Sequence, residues 1–111
     1  ERNGLKLVVA GAPVGTSAYA DELYAKGKAD GDVIFTGFVG GTLRNELFTN
    51  ARAYVSASHL EGLPLTVIQA MANGLPVLLS DIEPHMEFAE TLAETKSMDG
   101  SAETPDFLRT F

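Results

Sequence analysis

Apolar residues recur along this chain in two rhythms. Short, nearly continuous runs alternate with longer stretches in which apolar positions return every three or four residues. The short runs are Leu5-Lys-Leu-Val-Val-Ala10, Val33-Ile-Phe-Thr36, Ala53-Tyr-Val-Ser56 and Val77-Leu-Leu79. Their length and β-branched content predict strands. The continuity of Leu5–Ala10 predicts one covered on both faces, as in a parallel sheet, and Val77–Leu79 reads as buried. Between the runs lie helical patterns. Ser17 can cap a helix from Ala18 to about Ala29, with Tyr19, Leu23 and Tyr24 near helical period, and Asp30-Gly31-Asp32 ends it. Thr42 is placed to cap a second helix with Leu43, Leu47 and Phe48 on one face. Pro64 suits the first turn of a third, where its missing N–H would have no intrahelical partner, and Asn73-Gly74 stops it. Pro84 opens a fourth helix through about Leu92. Lys96-Ser-Met98 is predicted as a final short strand and Thr104-Pro105 as the start of a last helix.

Strands alternating with helices of about ten residues define βαβ units, so the fold class is α/β, a Rossmann-like parallel sheet with helices on both faces. Right-handed crossovers put the loops that follow the strands on one edge. Those loops are Gly11–Gly15, Gly37–Gly41, Ser56–Pro64 and Ser80–Pro84. Ligands of open α/β sheets bind outside that carboxyl edge.

Composition narrows the choice of partner. The chain has 111 residues, 45% of them apolar, which suits one domain, or part of one, with a real core. Eight Lys+Arg against fifteen Asp+Glu give a net charge of −7. That argues against nucleic acid, which would need a basic stripe, and leaves any anionic ligand to be held by local N–H groups. The absence of cysteine excludes disulfides and thiolate metal sites and agrees with a cytoplasmic setting. No apolar run approaches the roughly 20 residues that span a bilayer, and no signal peptide is present. The chain opens almost directly into a strand and without methionine, so a domain truncated at its ends is expected.

The chemistry concentrates in Glu61-Gly-Leu-Pro64 and the helix that follows. A loop here delivers a helix N-terminus, with free N–H groups and partial positive charge, beside a carboxylate, and such an end can hold a phosphate. Gln69 stands roughly 7–8 Å above Pro64 along that helix, so Glu61 and Gln69 can bracket a ligand lying there. Gly11-Ala-Pro-Val-Gly15 is neither a dinucleotide fingerprint nor a P-loop and reads as a tight turn. Gly37-Phe-Val-Gly-Gly41 is either a turn with a half-buried Phe38 or an edge whose Phe38 and Val39 backbone groups meet a base or sugar. His59 and His85 read as loop histidines with hydrogen-bonding roles, since neither has metal-ligand spacing. Ser58 lacks a nucleophile elbow, and Asp81 lacks the acidic pair a receiver domain needs. Glu83, Glu87, Glu90 and Glu94 form a solvated helix face.

Taken together, Leu7–Pro13, Val33–Val39, Ala53–Ser58, Glu61–Pro64, Gln69–Val77 and Ser80–Ile82 resemble the C-terminal, donor-binding domain of retaining nucleotide-sugar glycosyltransferases of family 4, with the GT-B fold. The likeness runs from about Leu5 to Glu87, in the family's order and spacing. It implies that Glu61 contacts the transferred sugar and that backbone N–H groups of Leu65 and Thr66 bind the diphosphate. Gly62, Leu63 and Pro64 shape the approach, and Phe38 and Val39 meet the base. The position that binds ribose hydroxyls falls on Gln69, where the family has a second glutamate. An amide lacks the charge-assisted bond a carboxylate makes, so weaker donor binding is expected. The segment Phe88–Leu92 also departs from the family's glycine-rich one.

The implied partners are a nucleotide-diphosphate sugar and an acceptor-binding N-terminal domain outside this chain, with no metal or other cofactor, no nucleic acid and no transmembrane segment. The family's diphosphate-binding Arg and Lys are expected upstream, so the chain alone should not turn over. Peripheral attachment to a membrane stays open through other parts of the protein. The rival readings are a non-catalytic Rossmann-like nucleotide-binding or assembly module, and an unrelated flavodoxin-like fold.

Overall fold

The computed structural model of the chain describes residues 4–97 and 108–110. Among these residues, five strands and four helices follow in the order β1 (Leu7–Ala10), α1 (Ala18–Asp30), β2 (Val33–Gly37), α2 (Gly41–Asn50), β3 (Tyr54–Ser56), α3 (Leu65–Ala72), β4 (Val77–Leu79), α4 (Glu83–Ser97) and β5 (Leu108–Thr110). Every strand pairing is parallel, so the fold is the α/β class that the alternation of patterns predicts. The strands form two sheets, β1-β2 and β3-β4-β5, and the chain divides into two compact units, Glu1–Arg44 and Asn45–Phe111.

In the first unit, Leu7 lies opposite Val33 and Val9 opposite Phe35, and Gly11 N–H donates to Gly37 O at 2.9 Å just beyond the strands. Ser17 caps α1 by accepting from Ala20 N–H at 3.4 Å, and Gly31 ends the helix in the left-handed region at φ 73°. The helix packs on β2. The Tyr24 and Phe35 rings lie 4.6 Å apart between centroids, and Gly27 is buried where any Cβ would run into the Phe35 ring. The expected cover on both faces of β1 is not observed: Leu7, Val8 and Val9 are all exposed. The contacts of α1 fall on β2, and Ile34 on the opposite side of the sheet is exposed as well.

The second unit has a core. Val67 and Ala70, three residues apart and so on one face of α3, pack with Leu75, Val77 and Leu79. Phe48, Tyr54, Met71, Phe88 and Ala89 flank them, with the Phe48 and Tyr54 rings 5.9 Å apart. Strand β4 is the middle strand, pairing Val77 with Tyr54 and Leu108, and Leu79 with Ser56 and Thr110. Its burial alternates: Val77 and Leu79 point into the core, whereas Leu78 is exposed, so the strand is covered on one face only. Helix α3 ends where Asn73 N–H shares the carbonyls of Gln69 and Ala70, Gly74 N–H donates to Met71 O, and Leu75 N–H returns to Ala70 O. Gly74 takes the left-handed conformation at φ 75° that this turn requires.

Several boundaries differ from the sequence-based expectation. Helix α2 begins at Gly41, so Thr42 sits inside its first turn and is not its cap. Pro64 is the residue before α3, accepting the bond from Ile68 N–H at 3.1 Å, because its ψ of 66° is not helical. Helix α4 continues through Ser97, which replaces the strand expected from Lys96. No glycine or proline interrupts it after Pro84, and Leu92-Ala93-Glu94 are strong helix formers. Leu108–Thr110 is a strand on the free edge of β4, where the predicted last helix would have run, since edge pairing satisfies backbone groups on both strands. Met98 and Thr104-Pro105 lie outside the described residues. Glu83, Glu87 and Glu90 are exposed, in keeping with a solvated face. No helix among the described residues is long and apolar enough to cross a membrane.

Candidate functional site

Parallel pairing of β3 and β4 brings the loops after both strands to one edge, where α3 and α4 also begin. The ladder continues one bond past the strands, with Ser80 N–H donating to Ser56 O at 2.9 Å. Four polar side chains converge there. Ser58 Oγ donates to Glu61 Oε1 at 2.6 Å, a short bond to a carboxylate acceptor. With that proton committed, Ser56 Oγ, 3.3 Å from Ser58 Oγ and buried, is the donor to it. Ser80 Oγ donates to Ser58 O at 2.6 Å, tying the β4 loop to the β3 loop.

His85 completes the group. It is not a loop residue, as the sequence pattern had it, but lies in the first turn of α4 and is completely buried. Its Nδ1 is 3.0 Å from Ser80 O and 3.3 Å from Ser80 Oγ. A carbonyl only accepts, so Nδ1 carries the hydrogen. In the neutral ring Nε2 then presents a lone pair, and this atom is buried without a hydrogen-bond partner among the described residues. A buried acceptor left unpaired costs roughly 1–3 kcal/mol.

Glu61 is half-buried at the foot of α3. Gly62 is exposed, Leu60, Leu63 and Leu65 stand out around the carboxylate, and Pro64 is buried beneath them. Leu65 N–H is turned back onto Leu63 O at 2.8 Å, so it could meet a phosphate only by giving up that bond. Thr66 follows in the first turn, its Oγ1 accepting from Tyr54 OH at 2.8 Å and so pinning the helix start to β3. Gln69 is half-buried on α3, one turn above Leu65. The arrangement is a held carboxylate beside a helix N-terminus, suited to gripping the hydroxyls and phosphate of an anionic ligand. In the first unit, Phe38 is exposed and Val39 half-buried, directly after β2. His59 is exposed. Among the described residues no group of three His, Asp or Glu is placed to hold a metal ion.

Sequence reasoning pointed to Glu61 and the helix start but not to Ser56, Ser80 and His85, which the structure brings to the same edge. The available signal was a serine at the end of β3, Ser56, and another directly after β4, Ser80, which parallel pairing brings to the same edge.

Comparison with known proteins gives the family. Residues 1–97 match the family described as Glycosyl transferases group 1, and the chain belongs to that family. It is 34% identical over 87 residues to an uncharacterized glycosyltransferase, MJ1607, of Methanocaldococcus jannaschii. That alignment covers 78% of this chain and 22% of the relative, so the chain spans about a fifth of the relative's length. No solved structure matches the chain.

Proposed function

We propose that this chain is the donor-binding, C-terminal part of a retaining glycosyltransferase of the GT-B type, which moves a sugar from a nucleotide-diphosphate sugar to an acceptor. The observation that carries the reading is the Glu61 carboxylate, oriented by Ser58 Oγ at 2.6 Å beside the N-terminus of α3, within the residues that match the family. In this reading Glu61 accepts hydrogen bonds from hydroxyls of the transferred sugar. The first turn of α3, through Thr66 and, once its bond to Leu63 opens, Leu65, faces the diphosphate. A net charge of −7 makes such local N–H groups the chain's means of holding a phosphate. As phosphate leaves, the charge that develops on it would be met by these donors, Leu65 joining after its bond to Leu63 has opened. Gly62, Leu63 and Pro64 set the approach, and Gln69 meets the ribose through its amide. Assignment of Phe38 and Val39 to the base is a separate proposal. Acceptor recognition is assigned to other parts of a longer protein, the chain by itself binding donor without turnover, in the cytoplasm.

Gln69 favours a second reading, a nucleotide-binding module without catalysis, because a neutral amide replaces the charge-assisted bond of a carboxylate. Calorimetry with UDP- and GDP-sugars tests both. Donor binding in the micromolar to millimolar range is expected, and no heat with any donor at millimolar concentration would sink the donor site. Gln69→Glu is expected to tighten binding by about tenfold, in keeping with a gained charge-assisted bond. An unchanged affinity would show that this position does not face the ribose.

A further inference from the structure

The geometry points to His85 as the positioning residue for Glu61, acting through Ser80 and Ser58; the inference rests on the donor-site reading above. Three observations carry it. His85 is completely buried, yet its Nε2 has no partner among the described residues, a cost that an apolar side chain of similar size would not incur. Its Nδ1–H points at Ser80 from two sides, 3.0 Å from the carbonyl and 3.3 Å from the hydroxyl oxygen. A hydroxyl oxygen approached by a donor must aim its own proton elsewhere, and Ser80 aims it at Ser58 O, 2.6 Å away. That bond fixes the backbone of Ser58, which belongs to no helix or strand, and the Ser58 side chain is what holds Glu61 Oε1. The relay therefore runs from α4 across the end of β4 to the loop that presents the carboxylate.

The test separates the sugar from the rest of the donor. Affinities of the chain for UDP and UDP-glucose, and for GDP and GDP-mannose, are measured by calorimetry, and the ratio within each pair reads the contact to the sugar. His85→Leu is expected to lower the wild-type ratio by about an order of magnitude, the loss of one oriented bond to a charged group. His85→Asn, whose amide can donate where Nδ1–H did, is expected to restore most of it. Ser80→Ala should reproduce the loss with the imidazole in place, and it decides the matter if His85→Leu shows no cooperative urea transition. A purely structural His85 would weaken both members of a pair equally. An unchanged ratio in folded His85→Leu or Ser80→Ala overturns the positioning role alone. A wild-type ratio of one for both pairs overturns the donor-site reading, and this inference with it.

Discussion

Two parallel sheets meet different fates in this chain. Strands β1 and β2 carry Leu7, Val8, Val9 and Ile34, and all four remain exposed. Strands β3 and β4 carry fewer apolar residues, yet Val77 and Leu79 are buried to 2% or less. The helices make the difference. Helix α1 offers tyrosines and Leu23 at helical spacing, but Tyr19 is 69% exposed and the contact with β2 narrows to Tyr24, Gly27 and Phe35. Helix α3 sets Val67 and Ala70 squarely on the sheet, and Leu75 closes the gap beyond its end. Apolar content makes a strand possible; a fitted partner face decides whether it contributes to stability.

The sharpest way to break this contrast is to truncate one side chain in each sheet. Leu79→Ala should lower the stability of the second unit by about 2–5 kcal/mol, the range for a fully enclosed leucine. Ile34→Ala should cost under about 1 kcal/mol, because much of its area already meets water. Urea denaturation of the two variants measures both, and equal losses would erase the distinction. Gly27→Ala probes the tightest contact of the first unit. A methyl there must displace the Phe35 ring, so a loss of roughly 1–3 kcal/mol is expected, against a small gain if the helix–strand contact were loose. Ser17→Ala should cost about 1 kcal/mol and reduce the helical circular dichroism signal through fraying of α1, while donor affinity stays unchanged.

Features set by a few neighbouring residues were legible in the sequence. Ser17 at the start of α1, Gly31 at its end, and the Asn73-Gly74 stop all depend on local backbone chemistry. So does the carboxylate before the α3 start, since Glu61 lies only three residues before Pro64. Features set by pairing over distance were not legible. Leu108–Thr110 becomes a strand because β4 has an open edge, which nothing within that short segment announces. The bond from Ser80 to Ser58 joins residues 22 apart, and no residue spacing announces it. The burial of His85 is equally non-local: a helix expected from Pro84 onward already contains it, but no local pattern says that its ring turns inward against Ser80. The helix begins at Glu83, one residue before the expected start, and His85 lies in its first turn.

The placement of the two histidines has a spectroscopic consequence. The chain contains only these two, one exposed and one enclosed. The ring proton on Nδ1 of His85 is shielded from water and bonded to Ser80, so it should exchange slowly enough to give its own downfield proton resonance. The corresponding proton of His59 should be averaged away by solvent. Nitrogen shifts of the two rings would report the tautomer of His85 directly, and the exchange rate of that single proton would time the opening of the α4 start from β4. The molecule thus carries a built-in clock at its candidate site, readable without a label.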